Sequence, residues 1–253
     1  MASSQSPFFS MGLSTYKVPK ELFATNRKKL CSEFQKIEKH QEEHKGIVEY
    51  FCYLEGGCSA TRNDSDHEPI FRQESYFHYL FGVKEPDWAG CIDLRTGKTT
   101  MFMPKLPSEY ATFMGKIKQP EDFLIEYQVD EVKYTDDVED HFLQYENYKI
   151  LLLKGTNSDS GKEFIPPIFK TKEIMDSVDT TSLFPILAEC RVIKSQHELD
   201  LMRYCTEITS LAHVFTMKNT KVGMMEYQSE SLFRHYAYYN FGARHVRSFF
   251  VNQ

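Results

Sequence analysis

"YKILLLKG", Tyr148 to Gly155, is the stretch on which the fold turns. Ile150 to Leu153 are apolar in succession, without the alternation of a strand that keeps one face in water. The run is too short for an ordinary helix and closes on glycine, so it reads as a strand buried on both faces, as in a sheet covered by helices. Upstream, "GIVEYFCYLEGG" (Gly46–Gly57) reads as another buried strand, ended by a glycine pair. Cys91–Leu94 and Thr99–Met103 flank Arg95-Thr96-Gly97-Lys98, a hairpin with Gly97 supplying the turn. Helices alternate with these strands. Asn26–His44 carries Leu30, Phe34 and Ile37 on one face, and "PEDFLIEYQV" opens on Pro120 and acidic residues, as helix N-termini do. The expectation is one α/β domain with a mixed sheet.

Downstream the character changes near Pro185. "ILAECRVIKS" (Ile186–Ser195) leads into a stretch that reads helical, broken at Lys221-Val222-Gly223. Ser195-Gln196-His197-Glu198 has the form of a capping box. Leu201, Tyr204, Ile208, Leu211 and Phe215 trace one apolar face, and Leu232, Phe233, Tyr236 and Tyr239 trace that of a second helix, about Met225 to Asn240. A lone helix pair seldom makes a stable domain, so this stripe requires a cover. The organisation expected is an α/β domain over residues 1–190 and the incomplete start of a second domain over residues 191–253.

Composition narrows the function classes. With 41% hydrophobic and 26% charged residues the chain is ordinary for a soluble globular protein. A net charge of −6 speaks against a nucleic-acid partner, since phosphate-binding surfaces carry a basic bias. No run is long and apolar enough for a membrane helix, and "MASSQSPFFSMGL" lacks the basic start of a signal peptide. Cysteines 31, 52, 58, 91, 190 and 205 form no Cys-x-x-Cys pair and read as reduced thiols in a cytoplasmic protein.

No catalytic constellation emerges from the residues alone. His40-Gln41-Glu42-Glu43-His44 matches the inverted zinc-peptidase pattern, two histidines at i and i+4. Its charged flanks favour a solvated helix end, and a third ligand is wanting. His78, within "YFHYLF", reads as a hydrogen-bonded core histidine, and His213 as packing or an interhelical bond. "TDDVED" (Thr135–Asp140) reads as a helix start whose acids complement the dipole. Arg244 and His245 have nothing nearby to complete a site.

At "FRQESYFHYLFGVKEPDWAGCIDLRTGKTTMFMPKLPSEYATFMGK" (Phe71–Lys116) the chain closely resembles the eukaryotic prolidases, Xaa-Pro dipeptidases of the pita-bread metallopeptidase family related to aminopeptidase P. The likeness continues in "YKVPKELFATNRKKLC" (Tyr16–Cys31), "GTNSDSG" (Gly155–Gly161), "ECRVIKSQHELDLMRY" (Glu189–Tyr204) and "VGMMEYQSESLFRHY" (Val222–Tyr236). The resemblance implies a mixed-sheet N-terminal domain of the creatinase and aminopeptidase P type, followed by the first helices of a pita-bread catalytic domain. It also implies hydrolysis of Xaa-Pro dipeptides by two manganese ions held by Asp, His and Glu ligands, all lying beyond the helical pair. None of those ligands has a counterpart here, so the chain is expected to bind no metal and to be inactive alone. "VRSFFVNQ" (Val246–Gln253) departs from the family pattern and reads as the tail of a truncated form.

The family dimer implies one more element. The loop following "LPSEYAT" resembles the one that lends an aromatic residue to the partner subunit's active site. Relatives often carry Trp there, and this chain has Phe113, without the indole N–H donor. The alternative is that Phe113 packs within its own domain. The expected partners are a homodimer or a heterodimer with full-length prolidase, the latter making the chain a non-catalytic interaction subunit.

Overall fold

The computed structural model describes residues 6–13, 15–38 and 48–244. Short strands β1 (Phe8–Phe9) and β2 (Val18–Pro19) pair antiparallel and lead into helix α1 (Glu21–Glu38). Then follow β3 (Glu49–Glu55), α2 (Ser75–Phe81), β4 (Ala89–Asp93), β5 (Thr99–Met103), α3 (Tyr110–Met114), α4 (Pro120–Tyr127) and β6 (Glu131–Tyr134). A 3-10 turn at Thr135–Asp137 runs into α5 (Val138–Leu143), and β7 (Tyr148–Leu151), β8 (Gly155–Thr156), β9 (Glu163–Phe164), α6 (Lys172–Asp176), β10 (Val178–Asp179) and α7 (Leu183–Cys190) complete this part. Two long helices close the described chain, α8 (Gln196–Asn219) and α9 (Glu226–Phe241). The chain divides into two compact units, one of Met1–Ser6 with Phe23–Ile193, the other of Pro7–Leu22 with Lys194–Gln253.

The first unit is built on a six-stranded sheet of order β10-β7-β3-β4-β5-β6. β3 is parallel to β7, β7 to β10 and β5 to β6, while β4 runs against β3 and β5. All strands but β4 therefore share one direction. β7 lies inside the sheet, as its apolar run requires, with only Lys149 reaching water. Along β3, Phe51 and Tyr53 face α5, where Phe142 meets their rings at 5.6 and 5.8 Å. Cys52 and Leu54, equally buried, point to the opposite face. Continuous burial along a strand is the mark of a sheet covered on both sides. The β4–β5 hairpin turns at Gly97 with φ of 79°, a left-handed conformation that glycine adopts without strain. Gly90, within β4, has a different necessity: a Cβ there would sit 2.4 Å from the Phe81 ring.

α1 begins at Glu21, ahead of the expected start at Asn26, and the Asn26 side chain reaches another helix. Its Nδ2 donates to the Tyr79 carbonyl at 2.9 Å, and Arg27 donates to the carbonyls of Leu80 (2.9 Å) and Gln128 (2.8 Å). Lys29 donates to the Cys190 carbonyl at 2.6 Å. One turn of α1 thus supplies donors, two of them cationic, to the carboxyl ends of α2, α4 and α7, where helices leave carbonyls unpaired and carry partial negative charge.

In the second unit the capping box at Ser195 forms as its spacing demands, Ser195 Oγ accepting from Glu198 N at 3.4 Å and Glu198 Oε2 accepting from Ser195 N at 2.8 Å. Ile208, Ala212, Phe233 and Ala237 are buried where α8 meets α9. Tyr204 and Tyr236 pack beside them as expected, and Tyr16 stacks on Tyr204 at 4.9 Å. Leu211 and Tyr239, assigned to the apolar faces from spacing, stand exposed instead. Small residues Ala212 and Ala237 occupy the seam and set its centre, which turns those two side chains outward.

Candidate functional site

In open α/β sheets, ligands bind beyond the carboxyl ends of the strands, where the strand order reverses. Here the chain winds from β3 through β4 and β5 to β6, then returns to place β7 on the other side of β3. β3 is the strand of reversal. At its carboxyl end opens a cleft of about 690 Å³, lined by residues from β3, the start of β4, the entry to α5 and the segment after β9. Its volume falls within the range of small-molecule and cofactor sites, about 300–1,000 Å³.

The floor is apolar, with Tyr53, Trp88, Ala89, Val138 and Phe169 all buried. The rim is acidic: Glu55, Asp87, Asp136, Glu139 and Asp140 face a single cation, Lys170. Tyr53 donates its hydroxyl to Glu55 at 3.3 Å, while loss of hydration against the wall raises the Glu55 carboxyl above the ordinary range. Burial raises the Tyr53 phenol far above its ordinary value, so it remains a donor. Glu139 is engaged structurally. It accepts from the backbone N–H of Lys170 (2.7 Å) and Thr171 (3.2 Å) and from the Thr171 hydroxyl, tying the segment after β9 to α5. Those bonds hold its carboxyl below the usual range. The acids of "TDDVED" do open a helix, as expected, but this helix also forms one wall of the cleft.

The loop carrying Phe113 leaves the same sheet edge, from the carboxyl end of β5. Phe113 lies on α3, which buries none of its residues, and is 88% exposed. It does not pack into its own domain. Met114 beside it is exposed as well.

Other candidates find different places. His78 is exposed on α2 rather than in the core, its ring edge-on to Phe23 at 5.6 Å. His213 packs against Phe233 at 4.7 Å. His40, Glu43, His44 and His245 lie outside the described residues, while Arg244 ends them, exposed. Sequence reasoning missed His141, which is buried among Phe51, Phe102 and Phe142 with its Nδ1 3.2 Å from Gln144 Nε2. Its position within an acidic helix gave no sign of burial. Among the described residues no group of three or more His, Cys, Asp or Glu could hold a metal ion. Nor is any described helix long and apolar enough to cross a membrane.

Comparison with known proteins places this arrangement. The profile of the aminopeptidase P N-terminal domain matches residues 23–151, and the chain belongs to that family. It is 44% identical over 246 residues to the Xaa-Pro dipeptidase of Mus musculus, covering 97% of this chain and 48% of that protein. To the Xaa-Pro dipeptidase of Homo sapiens it is 42% identical over 245 residues, covering 97% and 48%. The chain spans about half the length of these relatives and corresponds to their N-terminal half. Among solved structures, aminopeptidase P from E. coli in its low-pH form superposes with a TM-score of 0.66 at 17% identity, over 90% of this chain and 51% of that one. Proline aminopeptidase P II from Yersinia pestis gives 0.64 at 19% identity, over 89% and 51%. These likenesses establish the fold: the mixed α/β domain of aminopeptidase P, followed by the opening helices of a pita-bread domain.

Proposed function

We propose that this chain provides the N-terminal domain of a prolidase-type Xaa-Pro dipeptidase and does not itself hold the hydrolytic centre. The observation that carries the reading is the identity above 40% with Xaa-Pro dipeptidases across nearly the whole chain. Family chemistry would use two manganese ions, hard cations that favour carboxylate cages. The donor sets among the described residues do not fit such a cage. Residues 1–190, apart from the Pro7–Leu22 arm that groups with the second unit, would fold as the domain proper, and residues 191–253 would belong to the start of the catalytic domain. Exposed Val214, Met217, Met225 and Tyr239 on α8, α9 and their connection support that division, because large apolar side chains left in water favour a cover. The cysteines are all free and mostly buried, which suits a reducing compartment such as the cytoplasm.

The same reading gives the chain an interaction role, as a homodimer or as a mixed dimer with a full-length prolidase. Phe113 would then reach the partner subunit's active site, a role supported by its exposure on a helix with no buried residue. Co-expression with the Mus musculus Xaa-Pro dipeptidase tests this. Tagged chain is expected to retain the longer protein, and Phe113→Ala to leave that association intact while shifting the mixed dimer's KM for glycyl-proline several-fold. A chain that never retains the longer protein would remove the interaction role, and a Phe113→Ala variant that leaves KM unchanged would remove Phe113 from the partner's active site.

A further inference from the structure

The lining of the cleft beyond β3 combines two chemistries, and they point to the same kind of occupant. Asp136 and Asp140 stand exposed at the entry to α5. Their neighbours are already used: Asp137 accepts from Tyr134 N at 3.1 Å, and Glu139 ties down Lys170 and Thr171. The side-chain carboxylates of Asp136 and Asp140 have no hydrogen bond or ion pair among the described residues. Glu55 and Asp87 in the same lining add further negative charge. The apolar part comes from "FIPPIFK" (Phe164–Lys170), whose Pro167 and Ile168 line the cleft. Ile168 is 80% exposed and Ile165, just outside, 79%. Two adjacent prolines restrict this segment to an extended backbone, so its apolar ridge is held open at little entropic cost.

We propose that this cleft is a docking groove for an extended peptide segment pairing aliphatic with cationic side chains, presented by a protein partner. The aliphatic side chains would lie on Ile168 and the aromatic floor, and lysine or arginine would meet Asp136 and Asp140. Charge complementarity sets the sign of the occupant: carboxylates outnumber the single lining lysine, so an acidic segment is repelled. An ordinary metal ion is a poorer match, because it would use none of the apolar ridge and the described residues hold no set of three ligands for it.

Trp88 lines the cleft and is the only tryptophan in the chain, so intrinsic fluorescence reports occupancy without a label. The probe is a blocked pentapeptide of alternating leucine and arginine, titrated into the full chain at low salt, beside a leucine–glutamate counterpart. Saturable binding is expected for the basic peptide and none for the acidic one. Asp136→Asn/Asp140→Asn should weaken it about tenfold and flatten its salt dependence. Ile168→Ser should weaken it several-fold while leaving the salt dependence unchanged. Both variants replace exposed side chains, and their melting temperatures would verify folding. Equal binding of the two peptides, no saturation, or affinity unaltered in both variants would overturn the proposal.

Discussion

Replacing Arg27 by methionine is expected to destabilise the first unit by about 3 kcal/mol, because buried carbonyls lose a charged donor. The guanidinium is buried and bridges the carboxyl ends of α2 and α4 through Leu80 and Gln128. Burial lowers its pKa to about 10 while the charge of Asp130 opposes the shift, so it stays protonated at neutral pH. Methionine fills much of the same volume but offers no donor. Neighbouring Lys28 is exposed, and Lys28→Met should change stability by no more than about 0.5 kcal/mol. Urea unfolding of both variants measures the contrast. Equal midpoints would mean that the clamp made by α1 contributes little.

Acid should weaken the fold through His141. Burial lowers its pKa from 6.5 to about 4, with the charge of Lys133 adding to the effect. The unfolded chain therefore takes up a proton on this histidine at a pH where the folded chain does not. Stability from His141 is present above pH 6.5 and is lost as pH falls from there toward 4, amounting to about 2–3 kcal/mol. Glu131, Glu139 and Asp179, whose folded pKa values are depressed, lose their contributions in the same direction at lower pH. The comparison of wild type with His141→Gln isolates the histidine. Between pH 6.5 and 4.5 the wild type should lose stability more steeply than the variant. Parallel profiles would show that His141 titrates alike in folded and unfolded chains.

Much of the fold was legible because local patterns carried it. The apolar run of β7, the glycine turn between β4 and β5, the proline at the start of α4 and the capping box of α8 each have a short-range physical cause, and each formed. What was illegible depends on residues far apart in the chain. Asn26, Arg27 and Lys29 look like the solvent face of a helix until α2, α4 and α7 bring their carboxyl ends to them. The cleft draws on residues 53–58, 87–89, 135–140 and 167–170, and no one of these segments has a site's composition. On α8 and α9 the spacing identified the helices but misplaced the seam, since alanine at 212 and 237 gave a weaker signal than Leu211 and Tyr239. Phe113 stood out only through a resemblance to prolidases, and its exposure became visible only in the fold.

The chain matches the N-terminal half of Xaa-Pro dipeptidases, and the proposal is that it lacks the hydrolytic centre. Its most direct test is to dialyse the purified chain against manganese, then measure bound metal and glycyl-proline hydrolysis on the same sample. No stoichiometric metal and no hydrolysis are expected. Stoichiometric manganese, together with turnover lost on chelation, would contradict the proposal.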